Sequence, residues 1–137
     1  MTGRSEARLR SAGLRVTRAR VAILDALAAT GGHPSADEVA SVLAAAGMRV
    51  PRASLYHVLG TFARAGLLTV ADAGPGPVRY EVAGAWHHHL VCRRCARIVD
   101  VPCQSGHQPC LEPELPGVRV DEAQVIYRGL CAECASL

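Results

Sequence analysis

Apolar residues recur at helical spacing along the first half of the chain. A short basic segment ends at Gly13, and Thr17 then has the position of a helix N-cap. The following stripe predicts one buried helix face and consists of Val21, Leu24, Leu27 and Ala28. Gly31-Gly32 should end this helix.

Two more helices are predicted downstream. Ser35-Ala-Asp-Glu38 reads as a capping box, in which the Ser hydroxyl and the Glu carboxylate satisfy free N–H groups. The apolar face of this helix consists of Ala36, Val39, Ala40 and Leu43, and Gly47 closes the helix. The next helix should begin near Pro51 or Arg52. Its buried stripe consists of Leu55, Val58, Leu59 and Phe62, and Gly66 stops it.

After Gly66 the pattern changes from helical to strand-like. Leu67–Ala73 and Val78–Val82 flank Gly74-Pro-Gly-Pro77, which predicts a β-hairpin. Helices followed by a hairpin predict a winged helix, in which the last helix before the wing enters the DNA major groove.

The second half reads mainly as strands. Gly84-Ala85 is the expected boundary, which gives domains 1–83 and 84–137 and an α+β fold class. The predicted strands are His87–Val91, Ile98–Val101 and Val118–Tyr127. Pro102–Gly117 carries four prolines and two glycines and is predicted to be a loop.

Charge favours the first half as the part that meets an acidic partner. All 15 basic residues are arginine. Residues 1–82 hold ten arginines against six acidic residues, whereas residues 83–137 hold five against six. No apolar run approaches the roughly 20 residues needed to span a bilayer, and no secretory signal is recognised. We therefore expect a cytoplasmic protein, whose six cysteines are more plausible as metal ligands or redox thiols than as a disulfide framework.

The last helix of the first half has a polar side that contains one aromatic residue. A solvated helix face would explain most of it, but Tyr56 beside Arg52 favours contact with DNA. The polar side consists of Arg52, Ser54, Tyr56, His57, Thr61 and Arg64.

Two Cys-x-x-Cys pairs give the strongest chemical signal. They are Cys92 with Cys95 and Cys131 with Cys134. Four thiolates satisfy tetrahedral Zn²⁺ with no open position, so the predicted zinc site is structural and not catalytic. Unpaired core cysteines or a redox Cys-x-x-Cys would not explain two copies, and no βαβ context accompanies either pair.

A second, scattered set of residues offers nitrogen and oxygen ligands. His87 and His89 should project to the same face of a strand, with His88 on the opposite face and Asp100 on the next strand. Glu81 ends the wing and His33 precedes the capped helix. Three imidazoles and two carboxylates suit Fe²⁺ or Mn²⁺ as well as Zn²⁺. Taken by itself, a His triplet is more often surface decoration or a hydrogen-bonding group.

Several motifs, in the same order, resemble those of ferric uptake regulator proteins. The resemblance covers nearly the whole chain and rests on Gly13–Thr17, His33–Glu38, Ser54-Leu-Tyr56, His87–Cys95 and Tyr127–Cys134. It implies a homodimeric repressor that binds a palindromic operator, with a winged-helix DNA-binding domain and a small, mostly β dimerisation domain. It also implies that one metal ion bridges the two halves of the chain.

The resemblance assigns roles residue by residue. It places His33, Glu81, His87, His89 and Asp100 at a regulatory Fe²⁺ or Mn²⁺ site. The four cysteines named above fall on the structural zinc site. Tyr56 matches the tyrosine of the recognition helix and Arg15 a basic residue that enters the minor groove. Many relatives have Arg where His57 stands, so the operator sequence cannot be transferred.

Other details point to a branch of the family. Asp100 resembles the residue of peroxide-sensing repressors, where iron-sensing members tend to have Glu. Cys103 and Cys110, in a Pro-rich loop, resemble actinobacterial members that repress a catalase-peroxidase. We expect a repressor whose ligand histidines are oxidised by peroxide when Fe²⁺ is bound. The alternatives are a reversible iron or zinc regulator and a thiol-based redox regulator that uses Cys103 and Cys110. A zinc hydrolase lacks a recognisable His-Glu-x-x-His or His-x-Glu pattern, and a DNA-independent interaction module does not explain the basic winged helix.

Overall fold

The chain forms two compact units, Met1–Ala83 and Gly84–Leu137. The computed structural model describes residues 2–71, 76–82, 87–105, 111–121 and 123–137. Within these ranges no helix is both long and apolar enough to cross a membrane.

In its described residues, the first unit forms four helices followed by a hairpin. Thr17 caps the second helix by accepting the Arg20 N–H on its Oγ1 at 3.1 Å. The capping box is present in full, because Ser35 and Glu38 each accept from the other's backbone N–H at 3.3 Å. Both predicted helix starts are confirmed. The elements are α1 (Thr2–Ser11), α2 (Arg18–Thr30), α3 (Ala36–Ala45), α4 (Arg52–Arg64), β1 (Leu68–Ala71) and β2 (Arg79–Val82).

The core of this unit lies between the helices and the hairpin. The four predicted α4 positions are all buried, and Leu24, Leu27, Val39 and Leu43 join them. Ala28 is a correction, since it is exposed while Ile23 and Ala26 are buried. One residue advances about 100° around a helix, so a face centred between Ile23 and Leu27 turns Ala28 towards solvent.

The hairpin is antiparallel, as predicted, with Leu68 opposite Val82 and Ala71 opposite Arg79. Leu67 is not part of β1, because its N–H donates to the Phe62 carbonyl at 2.9 Å and closes the end of α4. Residues 74–75 of the predicted turn and the predicted boundary 84–85 lie outside the described residues.

The second unit contains a three-stranded sheet and one helical turn within the part that the structure describes. The strand order is β4-β3-β5, with β4 antiparallel and β5 parallel to the central strand. The elements are β3 (His87–Cys92), β4 (Ile98–Pro102), β5 (Ile126–Gly129) and α5 (Ala132–Ala135). Residues 103–105 and 111–117 contain no helix or strand, which agrees with the predicted loop over these residues.

The predicted strand Val118–Tyr127 is wrong over most of its length. Only Ile126–Gly129 pairs with β3, against His89–Cys92. Val118 has the alternating β-branched pattern but is 53% exposed, so its apolar side chain does not pack on the sheet. Burial against a neighbouring strand, which a local pattern does not specify, decides where this strand begins.

Candidate metal centres and DNA-binding surface

The four cysteines of the two Cys-x-x-Cys pairs come together in the second unit. Cys92 ends β3, Cys95 follows in a turn, Cys131 precedes α5 and Cys134 lies on α5. Their Sγ atoms all lie within 4.8 Å of one another, and the Sγ atoms of Cys95 and Cys131 are 3.8 Å apart. Zinc–sulfur bonds of about 2.3 Å in a tetrahedron place sulfur atoms about 3.8 Å apart. The cluster therefore fits a closed tetrahedral zinc ion.

The local backbone explains how each pair is presented. The Cys92 N–H donates to the Arg97 carbonyl at 2.9 Å, and the Ala96 N–H donates to the Cys92 carbonyl at 3.0 Å. Ala96 has a φ of 64°, the left-handed conformation that non-glycine residues seldom adopt. This tight turn directs Cys95 back towards Cys92, while the short helix α5, which the sequence pattern did not reveal, does the same for Cys134.

The thiols of this cluster have very different proton affinities. Hydrogen bonds from the N–H groups of Cys95 and Cys131 lower the pKa of the Cys92 thiol to about 6. Burial, followed by hydrogen bonds among the sulfur atoms, raises the pKa of the Cys134 thiol to about 12. Without a cation, the Cys92 thiol therefore loses its proton readily, whereas the Cys134 thiol keeps its proton. A divalent cation would allow all four to be thiolates.

The first unit holds one histidine and one carboxylate of the predicted regulatory site. His33 lies between α2 and α3, Glu81 lies on β2, and Nε2 of His33 contacts Oε2 of Glu81. Both side chains are almost buried, at 10% and 12% exposure. We call this pair the His33 half-site.

The second unit holds the other predicted ligands. His87 and His89 share one face of β3, and their Nε2 atoms lie 3.4 and 3.7 Å from Oδ1 of Asp100 on β4. We call these three residues the Asp100 half-site. His88 is on the opposite face, as predicted, and its Nδ1 accepts the Val125 N–H at 2.8 Å. The union of the two half-sites in one metal site stays a prediction.

Two residues that the sequence analysis missed contact these half-sites. In the first unit, the guanidinium of Arg79 donates to the His33 carbonyl at 3.2 Å. In the second, the side-chain amide of Gln124 lies 3.2 Å from Nδ1 of His89. Neither residue belongs to a spacing motif, and only the position of Arg79, two residues before Glu81, gave a signal.

The polar side of α4 is exposed, as the DNA-binding prediction requires. Arg52, Ser54, Tyr56 and His57 all face solvent, and Tyr56 is 46% exposed. Arg52 is paired with Asp37 of α3, with Nη2 2.7 Å from Oδ1. Burial and the nearby Tyr56 phenol raise the pKa of Tyr80 on β2 of the wing.

Arg15, the predicted minor-groove residue, lies in the exposed loop before α2. Its carbonyl accepts from Nη1 of Arg20 at 2.9 Å. This bond restrains the loop backbone and involves the carbonyl of Arg15, not its guanidinium. The residue as a whole is exposed. The geometry is compatible with contact to DNA.

One face of the second unit's sheet is apolar and exposed. Leu90 lies directly between Val99 and Tyr127 in the registers of β3 with β4 and β5. Val99 is 37% and Tyr127 45% exposed. Neighbouring apolar residues at a sheet surface are typical of a protein–protein interface.

The candidate redox pair is only partly described. Cys103 is disulfide-bonded, and its Sγ lies 3.3 Å from Oγ of Ser105. Cys110 lies outside the described residues. A redox role of this pair stays a prediction.

Comparison with known proteins identifies related regulators. A sequence model described as the ferric uptake regulator family matches residues 11–109. The transcriptional regulator FurA of Mycobacterium tuberculosis is 43% identical over 132 residues, which cover 93% of this chain and 87% of that protein. The peroxide-responsive repressor PerR of Staphylococcus epidermidis is 32% identical, covering 95% and 87%. The ferric uptake regulator of Pseudomonas aeruginosa, solved with manganese, superposes with a TM-score of 0.72 at 26% identity, covering 93% and 98% of the two chains.

Proposed function

The chain belongs to the ferric uptake regulator family, and on that premise we propose that it is a peroxide-sensing repressor of oxidative-stress genes, such as one for a catalase-peroxidase. Proteins of this family are dimeric, metal-responsive, DNA-binding transcriptional regulators and not enzymes. They bind zinc together with iron or manganese. Because its operator DNA lies there, we place the protein in the cytoplasm.

The observation that carries this proposal is the separation of two donor sets with different chemistry. The sulfur set is closed and has the dimensions of a zinc–thiolate tetrahedron. The half-sites offer only imidazole and carboxylate, which suit Fe²⁺ or Mn²⁺. The sulfur set can therefore stabilise the fold, while metal binding at the half-sites can respond to conditions in the cell.

We assign the sulfur set to structural zinc. Cys92 and Cys95 close the end of β3, and Cys131 and Cys134 flank the start of α5. A metal there would tie the central strand to the C-terminal segment. The exposed face of Leu90, Val99 and Tyr127 supports the dimerisation role of residues 84–137.

We assign the two half-sites to one regulatory ion. Each half-site alone supplies too few ligands for a six-coordinate ion, since one offers His33 and Glu81 and the other His87, His89 and Asp100. A ligand set drawn from both units would make metal binding depend on their arrangement. That dependence is the physical requirement for metal-gated DNA binding.

We assign operator recognition to the first unit. Tyr56 and His57 on the exposed side of α4 would read base edges, while Arg52, Ser54 and Arg15 would contact the backbone or the minor groove. A dimer presents two such helices and so matches a palindromic operator.

The histidine ligands suit the finer part of the proposal, peroxide sensing. Bound Fe²⁺ would supply the redox centre at which the O–O bond of H₂O₂ is cleaved. One peroxide oxygen would be inserted at an imidazole C–H bond of His33 or His87 to give C–OH, and the other would leave as water. An oxidised ring would be a poorer ligand, and loss of the ion would end repression. Support comes from Asp100, which resembles the residue of peroxide-sensing repressors, and from the likeness to PerR of S. epidermidis.

The proposal is tested with the zinc-loaded dimer charged with Fe²⁺ or with Mn²⁺. Peroxide should release operator DNA, selected from a random duplex library, only from the Fe²⁺ form. Peptide mass spectrometry should find one added oxygen atom on His33 or His87 in that form alone. His33→Ala should keep zinc and the dimer but lose metal-dependent DNA binding. Equal release from the Mn²⁺ form would reject iron-based sensing.

Two alternatives lead to different results in the same assay. A reversible iron regulator, as the name of the P. aeruginosa relative suggests, would lose DNA on iron removal without oxidation of histidine. A thiol-based regulator is favoured by the disulfide of Cys103. In that case replacing Cys103 and Cys110 by Ser would abolish the peroxide response while metal-dependent binding persists.

A further inference from the structure

We infer that Arg79 is a positioning residue of the His33 half-site, which it joins to the first turn of α3 and through α3 to the recognition helix. This inference rests on the proposed function, because it concerns the metal affinity of that half-site. It adds a residue that is not itself a metal ligand.

One nitrogen of Arg79 makes both bonds that matter. Its Nη1 donates to the His33 carbonyl at 3.2 Å and to Oε1 of Glu38 at 2.9 Å. Glu38 is also the capping-box carboxylate of α3 and accepts the Ser35 N–H at 3.3 Å. The same oxygen therefore fixes the helix start and the arginine that holds His33.

The backbone reinforces this arrangement. Arg79 and Ser35 form an isolated antiparallel bridge, and the Tyr80 N–H donates to the Pro34 carbonyl at 2.8 Å. Glu81, the next residue of β2, contacts His33. Strand β2 thus positions both ligands of the half-site, Glu81 directly and His33 through the segment before α3.

His33 needs such an anchor because the residues before it leave its position free. Gly31 and Gly32 have φ values of 63° and 58°, a region that glycine enters without steric cost. After two such glycines, the backbone has no local conformational preference that would hold the His33 side chain in place. The Arg79 bonds supply the missing constraint.

The connection continues from α3 to the recognition helix. Asp37, the neighbour of Glu38, pairs with Arg52 at the start of α4. Both side chains are 70% exposed, so this ion pair is screened and contributes little by itself. Most of the coupling must pass through packing of α3 against α4, where Val39 and Leu55 are buried.

The test measures Co²⁺ binding to the zinc-loaded dimer by the visible d–d absorption of Co²⁺. Arg79→Met keeps the apolar stem and removes the donors. We expect about ten-fold weaker Co²⁺ binding and a changed absorption band, which is the usual size of an outer-ligand effect. Zinc content and dimer mass should not change. Arg79→Lys should restore part of the affinity, since one ammonium can still donate to two oxygens.

A second variant keeps the inference testable if Arg79→Met does not fold. Glu38→Gln keeps the capping-box acceptor but removes its charge, so the Arg79 bond weakens while α3 stays capped. It should weaken Co²⁺ binding in the same direction and by less. Amide exchange of His33 and Ser35 should be faster in both variants before Co²⁺ is added. Arg10→Met, an exposed arginine of α1 paired with Glu6, is the matched control.

The outcomes separate this inference from the function on which it rests. Should Arg79→Met bind Co²⁺ as tightly as the wild type, with the same band, Arg79 has no positioning role. Should the wild type take up no Co²⁺ beyond zinc, or His33→Ala bind it equally well, the proposed regulatory site is wrong and this inference falls with it.

Discussion

His89 and Asp100 form a direct register pair of the antiparallel strands β3 and β4, with His89 Nε2 3.7 Å from Asp100 Oδ1. The two side chains differ sharply in access, because His89 is 1% exposed and Asp100 55%. The carboxylate is therefore the solvent-facing member of the Asp100 half-site. Small reagents such as peroxide should approach from its side.

Asp100→Glu should consequently blunt the peroxide response while metal-dependent repression is kept. The added methylene group lets the carboxylate reach further over the open side and compete with peroxide. We expect histidine oxidation to slow about ten-fold, equivalent to about 1.4 kcal/mol of activation free energy. The rate is measured by peptide mass spectrometry of the Fe²⁺ form. Oxidation at the wild-type rate would contradict the role given to this carboxylate.

Cys92→Ser and Cys131→Ser should each lose zinc and the folded dimer together. Structural zinc sites contribute about 10–16 kcal/mol of binding free energy, which is as large as the stability of a typical domain. Thermal unfolding, zinc content and mass in solution test this. Cys103→Ser, outside the sulfur cluster, is the control and should keep all three when the Cys103 disulfide is reduced in the wild type as well. A normal melting transition of Cys92→Ser without zinc would reject the structural assignment.

The elements with strong local signals were predictable from the sequence. Thr17 and the Ser35–Glu38 capping box specify where α2 and α3 begin, because each start is set by side chains within one turn. The strand β5 was not, since its start at Ile126 depends on pairing with His89 of a distant segment. The turn of α5 was also missed, because four residues give too short a pattern to show a period.

The candidate site was predictable to a similar extent and for a similar reason. The cysteines stand in paired motifs, and the alternation of His87, His88 and His89 follows from strand geometry. Arg79 and Gln124 carry no motif, because each acts through a hydrogen bond to a residue more than 30 positions away. Supporting residues of this kind become visible only in three dimensions.

Arg15→Ala and Arg52→Ala should weaken DNA binding and reduce its salt dependence. Each phosphate contact contributes about 0.9 to the slope of log K against log salt concentration, so each loss should lower the slope by about one. Asp37→Asn should have the opposite effect, since it releases Arg52 from its ion pair. Titration of a labelled duplex at several salt concentrations measures all three.

Arg119→Ala is the matched control for these variants, because Arg119 is 92% exposed in the second unit. Its slope should equal that of the wild type.

Tyr56→Phe should alter preference among operator sequences more than affinity for random DNA. If substitutions at both Tyr56 and His57 left selectivity unchanged, base readout would lie elsewhere.

Gln124 should govern how well His89 can bind the regulatory ion. Coordination of a metal through Nε2 of His89 requires the ring proton to be on Nδ1. That proton must then be donated to the side-chain oxygen of Gln124. In the structure Nδ1 lies 3.2 Å from the nitrogen of the same amide group. Gln124→Met removes that acceptor and should weaken Mn²⁺ binding about ten-fold, whereas Gln124→Glu should preserve or strengthen it. Paramagnetic resonance of free Mn²⁺ during titration gives the affinities. Gln104→Met, in the exposed loop after β4, should bind Mn²⁺ like the wild type. If Gln124→Met did so as well, the amide would have no part in orienting His89, and the burial of its ring would have to be sufficient.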